Sequence, residues 1–391
     1  MGWLTMSEDL DTRPVTARQQ PVWEDERAVA LARRELAERA PLVDGEGVAR
    51  LRRALVAVAA GEALVVQAGD CAEDPAERTA ADVARKVGLL DALGGELALR
   101  TGRPVLRVGR IAGQYAKPRG RTHETVAGVE IPSYRGHLVN GPEPLAQARR
   151  PDPRRLLDCY EAAREVMGHL GWRGLGRYSW DGARIWTSHE ALLLDYEIPQ
   201  VRATASGALL GSTHWPWIGE RTRDPDGAHV RLLAEVRNPV ACKIGPDIDV
   251  EELIALCERL DPAREPGRLT LIVRMGAAKL AQRLPRLVRA VRARQHPVIW
   301  MCDPMHANTV ILADGAKTRY LDAMVREVTR FRSVLLEAGA VAGGLHLETT
   351  PDDVGECLSD PSRTTVGKYT SLCDPRLAPP QARAVVAAWH C

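Results

Sequence analysis

Several features that define other classes of protein are missing from this sequence. It contains one phenylalanine against nine tryptophans, so a folded core has to be built mainly from Leu, Val, Ile and Ala. The eight cysteines include no Cys-x-x-Cys pair and lack the spacing of small disulfide-rich domains. No apolar run approaches the length of a membrane span, and the opening stretch MGWLTMSEDL lacks the regions of a signal peptide. We therefore expect free, mostly buried thiols and a cytoplasmic location.

An excess of charge of one sign is also missing. The net charge is +2, with both signs interspersed along the chain, which is unlike the basic footprint of a nucleic-acid-binding protein. The sequence has no P-loop, no dinucleotide-binding fingerprint, no G-x-S-x-G and no H-E-x-x-H motif. A chain of 391 residues has room for one large α/β barrel or for two or three smaller domains.

What the sequence does contain is a series of short, nearly continuous apolar runs that alternate with helical patterns. Such strands are typical of a parallel sheet that is buried on both faces. Eight of them favour a (β/α)₈ barrel, and an open doubly wound sheet is the alternative. The predicted strands are 63–69, 105–113, 184–191, 205–213, 239–245, 269–276, 297–302 and 343–349.

The segment before these strands has a different character. Residues 1–22 are polar and are expected to form a loose arm, whereas 23–40 and 47–63 have the apolar spacing of two helices. We therefore predict two parts: an N-terminal arm with short helices over residues 1–62, and the catalytic barrel over residues 63–391.

Potential metal ligands follow three of the predicted strands. Cys71 follows the first, the stretch VIWMCDPMHANT carries His306 just after the seventh, Glu348 lies at the end of the eighth, and Asp374 comes later in LCDPRL. In a barrel the carboxyl ends of all strands meet at one rim. A thiolate, an imidazole and two carboxylates suit Mn²⁺, Co²⁺, Fe²⁺ or Zn²⁺ better than Ca²⁺ or Mg²⁺. Four unrelated polar residues are the alternative, because their spacing is too long for a local motif.

Cationic side chains form a second group near the same strand ends. Several cations that converge on one rim repel each other unless an anion lies between them, and arginine suits bidentate contact with phosphate or carboxylate. The expected ligand is small and carries several negative charges. The group comprises Arg110, Lys117, Arg119, Arg221, Lys243, Arg274 and Lys317, with Arg319 as a further candidate. For any single member, an ordinary surface cation is the alternative.

With these residues in view, the sequence resembles the class II (plant-type) 3-deoxy-D-arabino-heptulosonate 7-phosphate (DAHP) synthases. The matching segments run in family order across about residues 64–377. They are QAGDCAE, VGRIAGQYAKPR, TSHEALLLDYE, WIGERTR, NPVACKIGP, GRLTLIVRMG, VIWMCDPMHANT, GGLHLE and CDPRL.

The resemblance implies a metal-dependent (β/α)₈ barrel that condenses phosphoenolpyruvate with erythrose 4-phosphate, in the first step of the shikimate pathway. It implies Mn²⁺ or Co²⁺ as the first candidate ions, with Fe²⁺ and Zn²⁺ as alternatives. It assigns the roles as follows: Cys71, His306, Glu348 and Asp374 hold the metal; Arg110, Glu220, Arg221, Lys243 and Arg274 hold phosphoenolpyruvate; and Lys117, Arg119 and Lys317 meet the erythrose phosphate. Lys117 is our candidate proton donor, with a metal-bound water as the alternative. We also count the metal ligands Cys71 and His306 among the catalytic residues.

The sequence departs from the family pattern at three places. Ala68 stands where the family usually has the first Gly of Gly-Gly-Asp-Cys. Gly120 follows KPR where the family usually places Ser, so a hydroxyl that could touch the erythrose phosphate is missing. Trp215 and Pro216 are bulky for their position. An imino-erythrose phosphate acceptor, which would make the enzyme an aminoDAHP synthase, is therefore an open alternative.

The chain is also short for the family, whose longer members carry extensions that bind aromatic amino acids. We therefore expect weak aromatic feedback and a role in secondary metabolism, such as the formation of a shikimate-derived antibiotic. A homodimer or higher homo-oligomer is expected, since twofold symmetry is the commonest. A catalytically silent barrel that binds a partner such as a chorismate mutase is the alternative from another functional class.

Overall fold

The computed structural model of the chain describes residues 16–126, 128–172, 185–205 and 207–390. The helices in chain order are α1 (Glu26–Glu38), α2 (Gly45–Ala59), α3 (Ala80–Thr101), α4 (Arg154–His169), α5 (Leu194–Glu197), α6 (Ala228–Glu235), α7 (Val250–Leu260), α8 (Leu280–Ala293), α9 (Leu321–Glu337) and α10 (Pro379–Ala387). The first seven strands are β1 (Leu64–Gly69), β2 (Val105–Arg110), β3 (His123–Val126), β4 (Val129–Pro132), β5 (Trp186–Thr187), β6 (Val201–Thr204) and β7 (Gly207–Leu210). The others are β8 (Trp217–Ile218), β9 (Val240–Ile244), β10 (Leu269–Val273), β11 (Ile299–Cys302), β12 (Thr309–Ile311), β13 (Lys317–Arg319) and β14 (Ala342–Glu348).

Eight parallel strands form the central sheet, in the order β5-β2-β1-β14-β11-β10-β9-β8. The two terminal strands of this order meet just beyond β5. The Trp217 amide donates to the His189 carbonyl, and the Ala191 amide donates to the Trp217 carbonyl, both at 3.0 Å. The sheet therefore closes on itself, and the predicted barrel is confirmed.

The prediction that residues 205–213 form the fourth strand of the barrel was wrong. Its apolar core Gly207–Leu210 forms β7, which pairs antiparallel with β6 in a separate two-stranded sheet. The barrel strand at this position is β8, which comprises only Trp217 and Ile218. Two residues are too few to produce a periodic signal, whereas β7 has the length and composition of a strand and pairs with its chain neighbour instead.

The strands and their helices follow from familiar sequence features. Every residue of β9 and β10 is buried, as expected for strands that are covered on both faces. Helix α3 begins with a capping box between Thr79 and Asp82 and ends at Gly102, whose φ of 66° lies in the left-handed region that glycine adopts without strain. These local signals agree with the packing around them. None of the described helices is long and apolar enough to span a membrane.

The amino end of the barrel is closed by α2. Its buried side chains Leu51, Leu55 and Val58 share one apolar cluster with inward-facing strand residues such as Val65 and Ile272. This packing leaves the carboxyl end of the barrel as the open end, where the predicted site residues lie. The division of the chain at residue 62 stays a prediction.

Candidate active site

A cleft lies at the carboxyl end of the barrel, and all twelve side chains that the resemblance implicates line it. They come from seven of the barrel strands or from the segments that follow them. Some of these residues lie more than 300 positions apart in sequence, such as Cys71 and Asp374. The lining residues are Cys71, Arg110, Gln114, Lys117, Pro118, Arg119, Gly120, Glu190, Trp217, Gly219, Glu220, Arg221, Lys243, Arg274, His306, Lys317, Glu348 and Asp374.

Three of the four predicted metal ligands form a compact group. One ligand atom each from Cys71, Glu348 and Asp374 lies within 4.8 Å of the other two. His306 is not part of this group, but its Nε2 atom lies 3.1 Å from Oε1 of Glu348. The structure therefore brings all four side chains to one side of the cleft, with His306 at the edge of the group.

A lysine ammonium lies among these donors. Nζ of Lys117 is 2.6 Å from Sγ of Cys71, 2.8 Å from Oδ2 of Asp374 and 3.9 Å from Oε1 of Glu348. The donors are therefore arranged around a positive charge. A sulfur, a nitrogen and carboxylate oxygens together fit a first-row divalent ion, so the residues present are suited to the metal that the family implies.

The electrostatics keep the two carboxylates ionised. Burial opposes this, but His306, Arg319 and Lys117 hold the pKa of Glu348 well below its ordinary value. Burial likewise opposes ionisation of Asp374, and Lys117 is the main charge that keeps its pKa low. By contrast, burial raises the pKa of the Cys71 thiol well above its ordinary value, and Glu348 acts in the same direction. A metal ion would have to displace the thiol proton when it binds.

Asp303 explains why β11 runs into Asp-Pro-Met-His. Its Oδ1 atom accepts from the amides of Met305 and His306 at 3.0 and 3.2 Å, which shapes the turn after the strand. Its Oδ2 atom lies 2.7 Å from Nδ1 of His306 and accepts from Nζ of Lys243 at 2.9 Å. A carboxylate on Nδ1 leaves Nε2 of His306 to face Glu348, which is the usual support of a metal-binding histidine.

Arg110 is occupied by protein groups. It is 2% exposed; its Nε donates to the Asp70 carbonyl at 3.0 Å and its Nη2 to Oε1 of Glu348 at 3.1 Å. Its Nη1 lies 2.7 Å from Nε2 of His346. Burial and the charges of Lys243 and Arg110 hold the pKa of His346 well below its ordinary value. His346 is therefore neutral, accepts from Arg110 through Nε2, and donates from Nδ1 to Gln67.

Other cations keep unused donors toward the cleft. Within the described part of the chain, Arg221 is exposed and makes no hydrogen bond or ion pair. Nε of Arg274 is buried without a partner among the described residues, and its Nη1 reaches Glu220 only at 3.8 Å. Buried donors without partners are rare, so Nε of Arg274 is free to bind an anionic group in the cleft.

Comparison with known proteins agrees with the motifs. The model of the "Class-II DAHP synthetase family" matches residues 8–177 and 161–388. The chain belongs to this family. A "Probable phospho-2-dehydro-3-deoxyheptonate aldolase" of Pseudomonas fluorescens is 55% identical over 95% of this chain and 94% of that protein. The corresponding aldolase of Streptomyces coelicolor is 39% identical over 93% of this chain and 92% of its own length.

These relatives identify the activity as DAHP synthase, the first step of the shikimate pathway. A solved phospho-2-dehydro-3-deoxyheptonate aldolase from Francisella tularensis covers 91% of this chain and 95% of its own, with a TM-score of 0.53 and 13% sequence identity. At that identity the likeness concerns the fold alone, and it supports the barrel.

Two polar side chains in the lining, those of Glu190 and Gln114, were not assigned a role from the sequence. Glu190 follows β5, is 9% exposed, and its Oε1 has no hydrogen-bond partner among the described residues. An added Cβ at Gly219 would lie 2.0 Å from that oxygen, so only glycine fits beside it. Gln114 holds the segment through its Oε1, which accepts from the Glu190 amide at 3.0 Å. The only feature of the sequence that could have identified Glu190 as a residue of the cleft is its position at the end of a predicted strand.

The structure also locates the departures from the family pattern. An added Cβ at Gly120 would meet nothing closer than Nη2 of Arg221, at 3.7 Å, so the missing side chain leaves open space. Trp215 is completely buried in the barrel core and is not among the residues that line the cleft. Arg319 is also completely buried, and its Nη1 donates to Oε2 of Glu348 at 2.7 Å. It therefore supports a predicted metal ligand and does not face a substrate.

Proposed function

We propose that this DAHP synthase condenses phosphoenolpyruvate with erythrose 4-phosphate in the cleft, with a divalent metal ion held by Cys71, His306, Glu348 and Asp374. The observation that carries the proposal is that every implicated side chain lines the same cleft. Mn²⁺ and Co²⁺ are the first candidates for the ion because of the family resemblance, and a donor set of one thiolate with nitrogen and oxygen ligands also suits Fe²⁺ and Zn²⁺.

The metal ion, when bound, supplies Lewis acidity that polarises the aldehyde oxygen of the acceptor. The exposed Arg221 and the partly unpaired Arg274 are placed to bind the anionic groups of phosphoenolpyruvate, together with Lys243. These cations neutralise the charges of the two phosphorylated substrates and so allow the substrates to approach each other. Holding the reactants in this orientation supplies much of the reduction in the activation barrier.

Lys117 is suited to donate a proton. Burial opposes its charge, but the carboxylates of Asp374 and Glu348 raise the pKa of Lys117 well above its ordinary value, so its ammonium is retained. As the enol carbon of phosphoenolpyruvate attacks the aldehyde carbon, the aldehyde oxygen gains charge and takes this proton. Water then adds at the carbon that bears the phosphate, and one of its protons restores the Lys117 ammonium. The hemiketal phosphate collapses to the ketone: its carbon–oxygen bond to phosphate breaks, and the phosphate leaves with the hydroxyl proton.

The test is a phosphate-release assay on purified protein, with and without chelation and with added Mn²⁺ or Co²⁺. We expect one phosphate per phosphoenolpyruvate consumed, only when both substrates are present. Cys71→Ala should lose bound metal and activity. Cys257→Ala is the matched control, because Cys257 is a buried thiol on α7 outside the cleft. Full metal-dependent activity in Cys71→Ala would refute the ligand assignment.

The imino analogue of erythrose 4-phosphate is the second candidate acceptor. The observation that motivates it is the open space at Gly120, where an added Cβ would meet only Nη2 of Arg221, at 3.7 Å, and where the hydroxyl expected from the family is missing. Each acceptor is offered separately to the same protein, and the ratio of the two kcat/KM values decides between them. We also expect a homo-oligomer, which light scattering of the purified protein tests.

A further inference from the structure

The segment 16–20 lies across two loops that border the cleft. The carbonyl of Thr16 accepts from the Ala228 amide at 3.1 Å, at the start of α6. The carboxamide of Gln20 donates to the Leu192 carbonyl and accepts from the Leu194 amide, both at 2.9 Å, beyond β5. The segment is therefore fixed at both ends, and Gln19 is held between these two attachments.

Gln19 adopts an unusual backbone conformation. Its φ of 64° lies in the left-handed region, which costs free energy in residues other than glycine. In this conformation its Oε1 accepts from the Arg119 amide at 2.8 Å, and its carbonyl accepts from the Arg135 guanidinium at 2.6 Å. A single residue thus binds two arginines, one through its side chain and one through its backbone.

These two arginines carry more positive charge than their surroundings neutralise. Arg119 lines the cleft; its Nη2 donates to Glu124 at 2.9 Å, and its buried Nε has no partner among the described residues. Glu124 also pairs with Arg149, so it is shared. Arg135 forms no ion pair within the described ranges, and burial and the charge of Arg119 lower the pKa of Arg135. An anion at Arg119 would relieve this repulsion.

We propose that Gln19 is a positioning residue that fixes Arg119 at the end of the cleft that receives the acceptor's phosphate and holds Arg135 beside that segment, so that it sets the affinity for erythrose 4-phosphate and not for phosphoenolpyruvate. This inference rests on the proposed function, which assigns Arg119 to the acceptor. The phosphoenolpyruvate cations Arg221 and Arg274 make no contact with Gln19, so the two substrates respond differently when Gln19 is changed.

The experiment measures KM for each substrate in Gln19→Ala and Gln19→Gly. Both variants remove the acceptor for the Arg119 amide, and the glycine variant also relieves the left-handed backbone. The loss of one hydrogen bond in the acceptor site is expected to raise KM for erythrose 4-phosphate by about five- to tenfold. KM for phosphoenolpyruvate and kcat should stay within about twofold. Thermal unfolding midpoints show whether either variant is destabilised.

Arg18→Ala is the matched control. Arg18 neighbours Gln19 and pairs with Asp224 at 3.3 Å on the surface, without contacting either arginine, so its substitution should leave both KM values unchanged. Equal rises in both KM values, or no rise in either variant, overturn the inference. Failure of the wild-type protein to release phosphate from the two substrates would instead refute the proposed function, so the two failures are distinguishable.

Discussion

A buried glutamate on α9 gives this enzyme a pH-dependent stability that can be measured. Glu327 is fully buried, and its Oε1 accepts from the amides of Met275 and Gly276 at 3.2 and 2.8 Å. Its other oxygen accepts from the side chain of Asn308. The carboxylate therefore links the loop after β10, which follows Arg274, to the loop after β11.

The size of this effect on the free energy of unfolding follows from the pKa of Glu327. Burial raises the pKa of Glu327 from its ordinary value of 4.5 to about 7, with the charge of Asp303 adding to the effect. A raised pKa means that the folded state binds this proton more tightly than the unfolded state does. The resulting stabilisation is complete below about pH 4.5 and is lost as the pH rises through about 7. A difference of one pKa unit between the folded and unfolded states is worth about 1.4 kcal/mol, so the shift of Glu327 from 4.5 to about 7 changes the free energy of unfolding by about 3 kcal/mol.

The perturbation is Glu327→Gln, which keeps the shape of the side chain and removes its ionisation. Urea unfolding of wild type and variant from about pH 5 to about pH 8 measures the difference in free energy of unfolding. We expect the variant to gain stability relative to wild type as the pH rises, by up to about 3 kcal/mol over the whole interval. Glu337→Gln, on an exposed position of the same helix, controls for the removal of one carboxylate. A difference between wild type and Glu327→Gln that does not change with pH would refute the reasoning.

Three further predictions concern the cleft. Gly120→Ser should leave the unfolding midpoint unchanged, because an added Cβ meets only Arg221 at 3.7 Å, and it should lower KM for erythrose 4-phosphate by supplying a hydroxyl; a raised KM would contradict this. Asp303→Asn should weaken metal binding by about 10- to 100-fold, measured as the Kd of added Mn²⁺ or Co²⁺, since it removes the carboxylate on Nδ1 of His306; an unchanged Kd would exclude that role. Titration with tryptophan, phenylalanine or tyrosine should inhibit phosphate release only weakly, and strong inhibition would show that the short chain retains a feedback site.

Much of the fold could be predicted because its strands are self-evident in the sequence. Apolar runs such as those of β9 and β10 have one consistent interpretation, since both faces of each strand are covered. The fourth strand failed for a physical reason. β8 has only two residues, so its pairing depends on neighbouring strands that the rest of the barrel positions. β7 has a stronger apolar pattern, but it pairs with β6 in a separate sheet outside the barrel. The local pattern of apolar residues shows that a segment is an extended strand, but it does not show which other strand it pairs with.

The residues that line the cleft could be found because they follow strands, and the geometry of a barrel brings strand ends together. The residues that hold those loops in place could not. Three buried glutamates bind loop backbones directly: Glu73 accepts from three successive amides at 112–114, Glu327 from two at 275–276, and Glu356 from those of Thr370, Ser371 and Arg376. Each lies between 14 and 52 positions from the amides it binds. In the sequence such a glutamate is indistinguishable from a solvated one, because its only signature is burial beside unpaired backbone donors, and that exists only after the chain has folded.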